Sequence, residues 1–319
     1  MRGHRTTWMR TATIVASLAL LTSACGDGGG TEDGDAAATT DAATAAATEA
    51  GGEATGGDGG NLLEELQASG SITVGIANEV PYGYEDEDGN VTGEAPEVAR
   101  LVLAELGITE VNAEVVDFGA LISGLQAGQF DMIAAGMYVN ADRAEQILFS
   151  DPDYCIGEAF AVPEGNPRGL SDFESVVNTP EATIAILSGA VEEGYAEIAG
   201  VPDEQIELFG DVNAQYDALT SGRVDAVTGT SLTVLTQVES REGIEMTESF
   251  FPVDENGEEI LGCGGFGFRN ESQDFRDAFN DQLNQMQDNG ELVDTITQFG
   301  FAEEDVERAQ ELTVADLTG

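Results

Sequence analysis

Chemistry that relies on a proton shuttle or an amine nucleophile has little to work with in this sequence. The 319 residues include one histidine, His4, and no lysine; all 11 basic residues are arginine, against 61 Asp and Glu. General acid–base catalysis most often uses His, and covalent catalysis often uses Lys or an activated Cys. Paired carboxylates remain available, but the composition argues against an enzyme. Gly262-Cys-Gly264-Gly-Phe-Gly267 fits G-x-G-x-x-G, a pattern that binds dinucleotides only when it follows a strand and opens a helix. Here it runs into the strand-like Phe266-Gly-Phe268-Arg269, so no nucleotide is expected. The acids of Asp86-Glu-Asp-Gly89-Asn90 lack the spacing and terminal Glu of a calcium loop. Their Asp-Gly and Gly-Asn pairs suit a hairpin turn instead. No metal and no cofactor is expected.

Binding chemistry is better supplied. Arg143 stands five residues beyond the apolar run Phe130–Tyr138. Its guanidinium fork suits a carboxylate through paired, charge-assisted hydrogen bonds; a structural salt bridge is the competing role. The turn Leu187-Ser-Gly189-Ala190-Val191 precedes a predicted helix, so the backbone N–H groups of Gly189 and Ala190 are candidate anion contacts.

The N-terminus reads as an export signal. Arg2, His4, Arg5 and Arg10 form a basic start, and Thr11 to Leu21 is an apolar stretch too short to remain as a membrane span. Leu21-Thr-Ser-Ala-Cys25 resembles a lipobox, with Leu four residues before the cysteine where the pattern prefers three. Cys25 is the expected lipid anchor; an ordinary secretory signal is the alternative. Without residues 1–24 the chain carries 8 Arg against 61 acids, 8 − 61 = −53, with no His. Nucleic acid is excluded as a partner, because binding it needs cations to displace phosphate counterions. The acid excess fits a high-salt habitat, where repulsion is screened, or a GC-rich genome that favours Arg, Ala and Gly. With Cys25 assigned to lipid, Cys155 and Cys263 are an even pair in an oxidising compartment. A disulfide between them is expected, against the alternative of two separate buried thiols.

The elements that must position these groups lie beyond a tether. Residues 25–60 are a Gly/Ala/Thr/acid linker without large apolar side chains, too polar to order, with a reach of about 30–35 Å. The remaining residues suggest two lobes rather than one core. Ser71–Ala77 reads as a buried strand, and Glu97–Leu106 as a helix with Val98, Leu101, Val102 and Leu106 on one face. Leu125-Gln-Ala-Gly128-Gln-Phe-Asp131-Met-Ile recurs as Leu219-Thr-Ser-Gly222-Arg-Val-Asp225-Ala-Val. Each copy reads as a helix end, a Gly cap and a strand opening with Asp. The period is far too long for a solenoid and fits two similar α/β lobes. The expected segments are 61–156 for lobe I, 157–260 for lobe II and 261–319 for the return to lobe I. In lobe II the pattern predicts strands Thr183–Leu187, Gln205–Phe209 and Val224–Val227 with helices Val191–Ala199 and Ala214–Thr220; lobe I closes with helix Phe275–Met286. Cys155 and Cys263 would then staple the two crossings.

Several segments together resemble the family 3 extracellular solute-binding proteins, the polar-amino-acid binders of ABC importers. These are Val74-Gly-Ile-Ala-Asn-Glu79, Gly93-Glu-Ala-Pro-Glu-Val-Ala, Phe118-Gly-Ala-Leu-Ile, Ala135-Gly-Met-Tyr138, Arg143 and Phe149-Ser-Asp-Pro-Asp-Tyr154. Within the family, Ala-Asn-Glu-Val-Pro-Tyr82, Gly-Glu-Ala-Pro-Glu-Val-Ala-Arg100 and the cysteine pair are similar to the ectoine/hydroxyectoine-binding proteins. The resemblance implies an α/β, two-lobed, periplasmic-binding-protein-like (type II) clamp with a two-stranded hinge. It implies an extracytoplasmic protein, membrane-bound through its lipid only, that hands a small zwitterion to an ABC permease and its ATPase; a monomer is expected. It places Arg143 on the ligand carboxylate. Thr230 stands where amino-acid binders of the family carry an ammonium-holding Asp, and Tyr138 where they carry Ser. Tyr82, Phe118 and Tyr138 would form an aromatic box for a delocalised cation, with Glu79 accepting from its N–H groups. Ectoine or hydroxyectoine is the ligand this implies; a polar amino acid, or a cyclic-acid dehydratase on the same fold, are the alternatives.

Overall fold

The computed structural model describes residues 61–319; the expected signal segment, Cys25 and the linker lie outside the described residues. The SITVGI run forms β1 (Ser71–Ile76), with Val74 and Ile76 fully enclosed. A hairpin of β2 (Tyr84–Glu85) and β3 (Val91–Thr92) follows, closed by the predicted turn. There the Asp86 carboxylate accepts the backbone N–H groups of Asp88 and Asn90, which gives that acid a turn-forming role. Next come β4 (Glu110–Val115), β5 (Met132–Tyr138), β6 (Leu148–Phe149) and β7 (Tyr154–Cys155). The chain then makes β8 (Glu158–Pro163), β9 (Ile184–Leu187), β10 (Ile206–Phe209), β11 (Ala226–Thr230) and β12 (Ile244–Met246), and finally β13 (Cys263–Phe268).

These strands form two main sheets, one ordered β4-β1-β5-β13-β6 with β7 also on β13, the other β10-β9-β11-β8-β12. The two orders correspond strand for strand. β1 and β9 each have parallel neighbours on both sides, and β13 and β8 each add antiparallel to the next strand. Parallel neighbours require crossover connections. Helices Glu94–Glu105 and Leu121–Gln126 supply them in the first sheet, Glu192–Ala199 and Val212–Thr220 in the second. The molecule is the expected two-lobed α/β clamp. Among the described residues no helix is long and apolar enough to cross a membrane.

The sequence echo is a structural one. Gly128 and Gly222 end their helices with φ of +70° and +73°, the left-handed conformation glycine adopts freely. Asp131 then accepts the Thr73 N–H at 3.1 Å, and Asp225 the Thr183 N–H at 3.0 Å. Each Asp N–H returns a 2.8 Å bond to the carbonyl of the same threonine.

Differences from the sequence reading are local. The helix expected from Glu97 starts at Glu94, behind Gly93, and buries Val98, Ala99, Val102 and Leu103 while Leu101 is exposed. The strand expected from Gln205 starts one residue later, because Gln205 sits in a short 3-10 turn and donates to the carbonyls of Val176, Thr179 and Ala182. The strand expected from Val224 runs from Ala226 to Thr230. The return helix extends over Gln273–Asn289 and sets Phe275 and Phe279 against Phe268 of β13. The glycine-rich segment is β13, all six residues buried. A side chain at Gly262 or Gly264 would overlap the rings of Tyr138 or Tyr154, so these glycines make room for aromatic rings.

The chain leaves the first sheet at β7 and enters the second at β8, then returns through residues 247–262 into β13. Cys155 and Cys263 are in register, flanked by the bonds Ile156 N–H to Gly262 O and Asp153 N–H to Gly264 O. They occupy a non-hydrogen-bonded pair, where antiparallel strands approach most closely. Their Cα atoms are 4.0 Å apart and the disulfide joins them, at the first-sheet end of both crossings.

Candidate functional site

The first lobe presents its groups from the C-terminal ends of its strands. After β1, Glu79 and Gly83 exchange backbone hydrogen bonds around a cis Val80–Pro81 peptide and hold Tyr82 inward. The Tyr82 ring rests on Tyr154 and Phe301, with centroids 5.6 and 5.8 Å away. Phe118 lies in a 3-10 turn just after β4. Tyr138 ends β5 and donates its hydroxyl to the Ile156 carbonyl at 3.0 Å. Asn140 then caps the one-turn helix Ala141–Ala144 by accepting the Arg143 N–H, which turns the Arg143 side chain back. Its guanidinium donates to the carbonyls of Tyr138 at 2.7 Å and of Gly189 at 2.9 Å, with its carbon 5.4 Å from the centre of the Phe118 ring.

The second lobe faces these groups with Ala190 and Glu192 after β9, Gln215 and Tyr216 on helix Val212–Thr220, Thr228 and Thr230 on β11, and Thr233 on the helix Ser231–Glu239. Together they line a cavity of about 40 Å³ between the lobes, so the cleft is nearly shut. Hydrogen bonds close the cleft from lobe to lobe. Tyr82 donates to Thr230 at 2.8 Å, Thr233 to the Glu79 carboxylate at 2.7 Å, and Thr236 to the Val80 carbonyl at 3.2 Å; Arg143 to Gly189 is the fourth. Gly119 and Gly189 meet where a Cβ on Gly189 would stand 2.6 Å from the Gly119 Cα, so both must be glycine for the lobes to approach this closely.

The cavity is electrically divided. Arg143 is the single cation lining it, against the carboxyls of Glu79 and Glu192, and it forms no ion pair among the described residues. Burial lowers the Arg143 pKa from its ordinary value, and nearby Glu192 opposes that shift. Burial pushes Glu79 up to about 7, against the lowering effect of the Thr233 hydroxyl and with help from Glu192. Glu192 and Glu158, which opens β8 behind the cleft, are both raised, first by burial. The Glu192 carboxyl adds further to the Glu158 shift, and Arg143 opposes that of Glu192. Glu158 and Glu192 share a side-chain hydrogen bond, whereas Gln215 Nε2, Tyr216 OH and Thr228 Oγ1 find no hydrogen-bond partner among the described residues.

Of the residues singled out from the sequence, Glu79, Tyr82, Phe118, Tyr138, Arg143 and Ala190 line this one cavity. Gly189 sits at its edge in a different role from the one expected. Its N–H donates to the Glu193 carboxylate and the Ala190 N–H to the Leu187 carbonyl, so neither is left for an anionic group of a ligand. The turn offers the Gly189 carbonyl to Arg143 instead. Thr230 caps the helix that follows and receives Tyr82. Glu192, Gln215, Tyr216, Thr228 and Thr233 were not singled out from the sequence. Glu192 was hidden by its place in the first turn of a predicted helix, where an acid is favoured by the helix dipole and raises no question of burial.

Strand ends from two similar lobes converging on a divided cavity define a solute-binding clamp. Comparison with known proteins places the chain in a family: residues 72–302 match the bacterial extracellular solute-binding proteins, family 3, and the chain belongs to that family. A probable amino-acid ABC transporter periplasmic-binding protein, y4tE of Sinorhizobium fredii, is 35% identical over 257 residues, covering 80% of this chain and 85% of that protein. The crystal structure of EhuB in complex with hydroxyectoine superposes with a TM-score of 0.74 at 33% identity, over 81% of this chain and 98% of that one. An ancestral arginine-binding protein bound to glutamine gives 0.63 at 25% identity, over 72% and 97%. The protein is a solute-binding component of an amino-acid-type ABC importer.

Proposed function

We propose that this protein captures ectoine or hydroxyectoine outside the cytoplasm and delivers it to its importer's permease and ATPase, without catalysing a reaction. The observation that carries the proposal is that one guanidinium, Arg143, lines a single cavity with the Glu79 carboxyl and the rings of Tyr82, Phe118 and Tyr138. A ring bearing a carboxylate at one edge and a delocalised amidinium matches that division of charge. The two bonds Arg143 makes leave further N–H donors of its fork for the carboxylate. Aromatic faces attract the spread cation, and Glu79 accepts from its N–H groups. Thr230 supports this choice over an α-amino acid, because its hydroxyl is engaged by Tyr82 and by the helix cap and carries no charge for an ammonium. In this proposal residues 61–156 and 261–319 form one lobe and 157–260 the other, closing over ligand about the disulfide-stapled hinge. The protein acts as a monomer held to the membrane by lipid on Cys25.

A second reading, a cationic amino acid, is favoured by one observation: Glu79 and Glu192 together outnumber Arg143 in the lining. A calorimetric and thermal-shift screen of compatible solutes against the 20 amino acids separates the two. A ligand at one hundred times its Kd should stabilise the protein by about 2.7 kcal/mol. Ectoine and hydroxyectoine should shift the transition while glutamine, histidine and arginine do not; strong stabilisation by an α-amino acid alone would reject ectoine as the cargo.

A further inference from the structure

The buried glutamines of this fold are mostly well bonded. Gln205 donates to three carbonyls and Gln287 to that of Pro152. Gln215 is the exception, and it does not stand alone. Its Nε2, the Tyr216 hydroxyl and the Thr228 hydroxyl are all buried without a partner among the described residues. All three side chains line the central cavity, and all come from the second lobe. Gln215 and Tyr216 are neighbours on one helix, and the Arg241 guanidinium, 5.1 Å from the ring centre, packs on Tyr216. Thr228 stands two residues before Thr230 on β11 and so points to the same face of the strand, the face on which Thr230 receives Tyr82.

Buried polar groups are costly to leave unpaired, so three of them on one wall of a binding cavity point to a group that the ligand brings. None of the three is charged: Gln215 Nε2 only donates, while the two hydroxyls donate or accept. Since Arg143 takes the carboxylate and Glu79 the cation in the proposed main site, the group left for three neutral partners is an uncharged one, and a hydroxyl, which donates once and accepts from two sides, matches them. We infer that Gln215, Tyr216 and Thr228 form a hydroxyl-binding subsite, which makes the protein prefer a hydroxylated ring zwitterion to its unhydroxylated counterpart. The inference rests on the ring-zwitterion reading of the main site and sharpens it. Sites that hydrogen-bond a ligand hydroxyl discriminate strongly against analogues that lack it, because their own polar groups are then left unpaired.

The test is calorimetric titration of hydroxyectoine and ectoine into the wild-type protein and into Thr228→Val and Tyr216→Phe, each of which removes one hydroxyl at nearly constant shape. The wild type should bind hydroxyectoine at least about tenfold more tightly than ectoine, and each variant should bring that ratio down toward one. A wild-type ratio near one overturns the subsite, as does a loss in the variants that falls equally on both solutes. The wild-type ratio decides the matter even if a variant fails to fold. Binding of neither solute overturns the ring-zwitterion reading itself, an outcome distinct from equal binding of both.

Discussion

The two lobes repeat one device and then diverge at a single point. In each, a helix ends at a left-handed glycine, and an aspartate at the foot of the next strand ties down its neighbour: Asp131 the Thr73 N–H, Asp225 the Thr183 N–H. Each aspartate also carries an arginine, Arg269 at 3.4 Å and Arg168 at 3.0 Å, and the two aspartate side chains are 27% and 26% exposed. At the far ends of the same strands the likeness stops. Beyond β5 the chain makes one capped turn and sends Arg143 back into the cleft; beyond β11 it enters a helix at once, which delivers the neutral Thr233 to Glu79. The framework is shared because both lobes solve the same packing problem. The cleft ends carry no such constraint, and there one lobe supplies the cation while the other supplies Glu192 and neutral polar groups.

Breaking the asymmetry of the staple should have the largest effect. The disulfide joins β7 to β13, and the five-stranded second sheet has no counterpart of β7. Its cysteines are 108 residues apart, so a Cys155→Ser, Cys263→Ser double variant should lose on the order of 4–5 kcal/mol on a chain-entropy view. Denaturant unfolding measures this, and a loss below about 1 kcal/mol would show that the strand pairing alone holds the crossing. Arg143→Ala tests the divergent end of β5. It should cost about 2–5 kcal/mol of ligand binding, since a buried carboxylate would be left unpaired; calorimetry within a few fold of wild type would remove Arg143 from the anchor role.

The shared end is tested by Asp131→Ala and Asp225→Ala. Each should destabilise the fold by about 1–3 kcal/mol, and the two losses should agree within about 1 kcal/mol. A large disparity in unfolding midpoints would mean that the likeness is geometric but not energetic. The smallest effect concerns pH. Glu79 is held up to about 7, above its ordinary 4.5, so the folded state favours its protonated form. The stability this contributes is complete below about pH 4.5 and is lost as pH rises through about 7. A cationic ligand group needs the carboxylate, so affinity should rise as pH passes through about 7, by about tenfold from pH 6 to pH 8. Glu79→Gln should flatten that slope, and a slope unchanged in the variant would assign the titration to the Glu158–Glu192 pair.

Much of this was legible in the residues themselves. Apolar period and glycine placement marked β1, the hairpin turn, the two helix-to-strand echoes and the strand character of Gly262–Gly267. These features depend on local backbone preference and on which face is buried, and both are written in short stretches of chain. Arg143 was legible for another reason, because a lone arginine next to a strand end in so acidic a chain needs a purpose. The fate of individual polar atoms was not legible. Whether the Gly189 N–H was free for an anion depended on Glu193 reaching it, and whether Gln215, Tyr216 and Thr228 were paired or orphaned depended on what each met across the cavity. Gln205 and Gln215 look alike in sequence, yet one bonds three carbonyls and the other none among the described residues. The sequence by itself determined the repeated framework and the charges available to it. Only the tertiary structure decided which of those charges and hydrogen-bonding atoms remain unpaired in the cleft, because pairing is settled between residues distant in the chain and close in space.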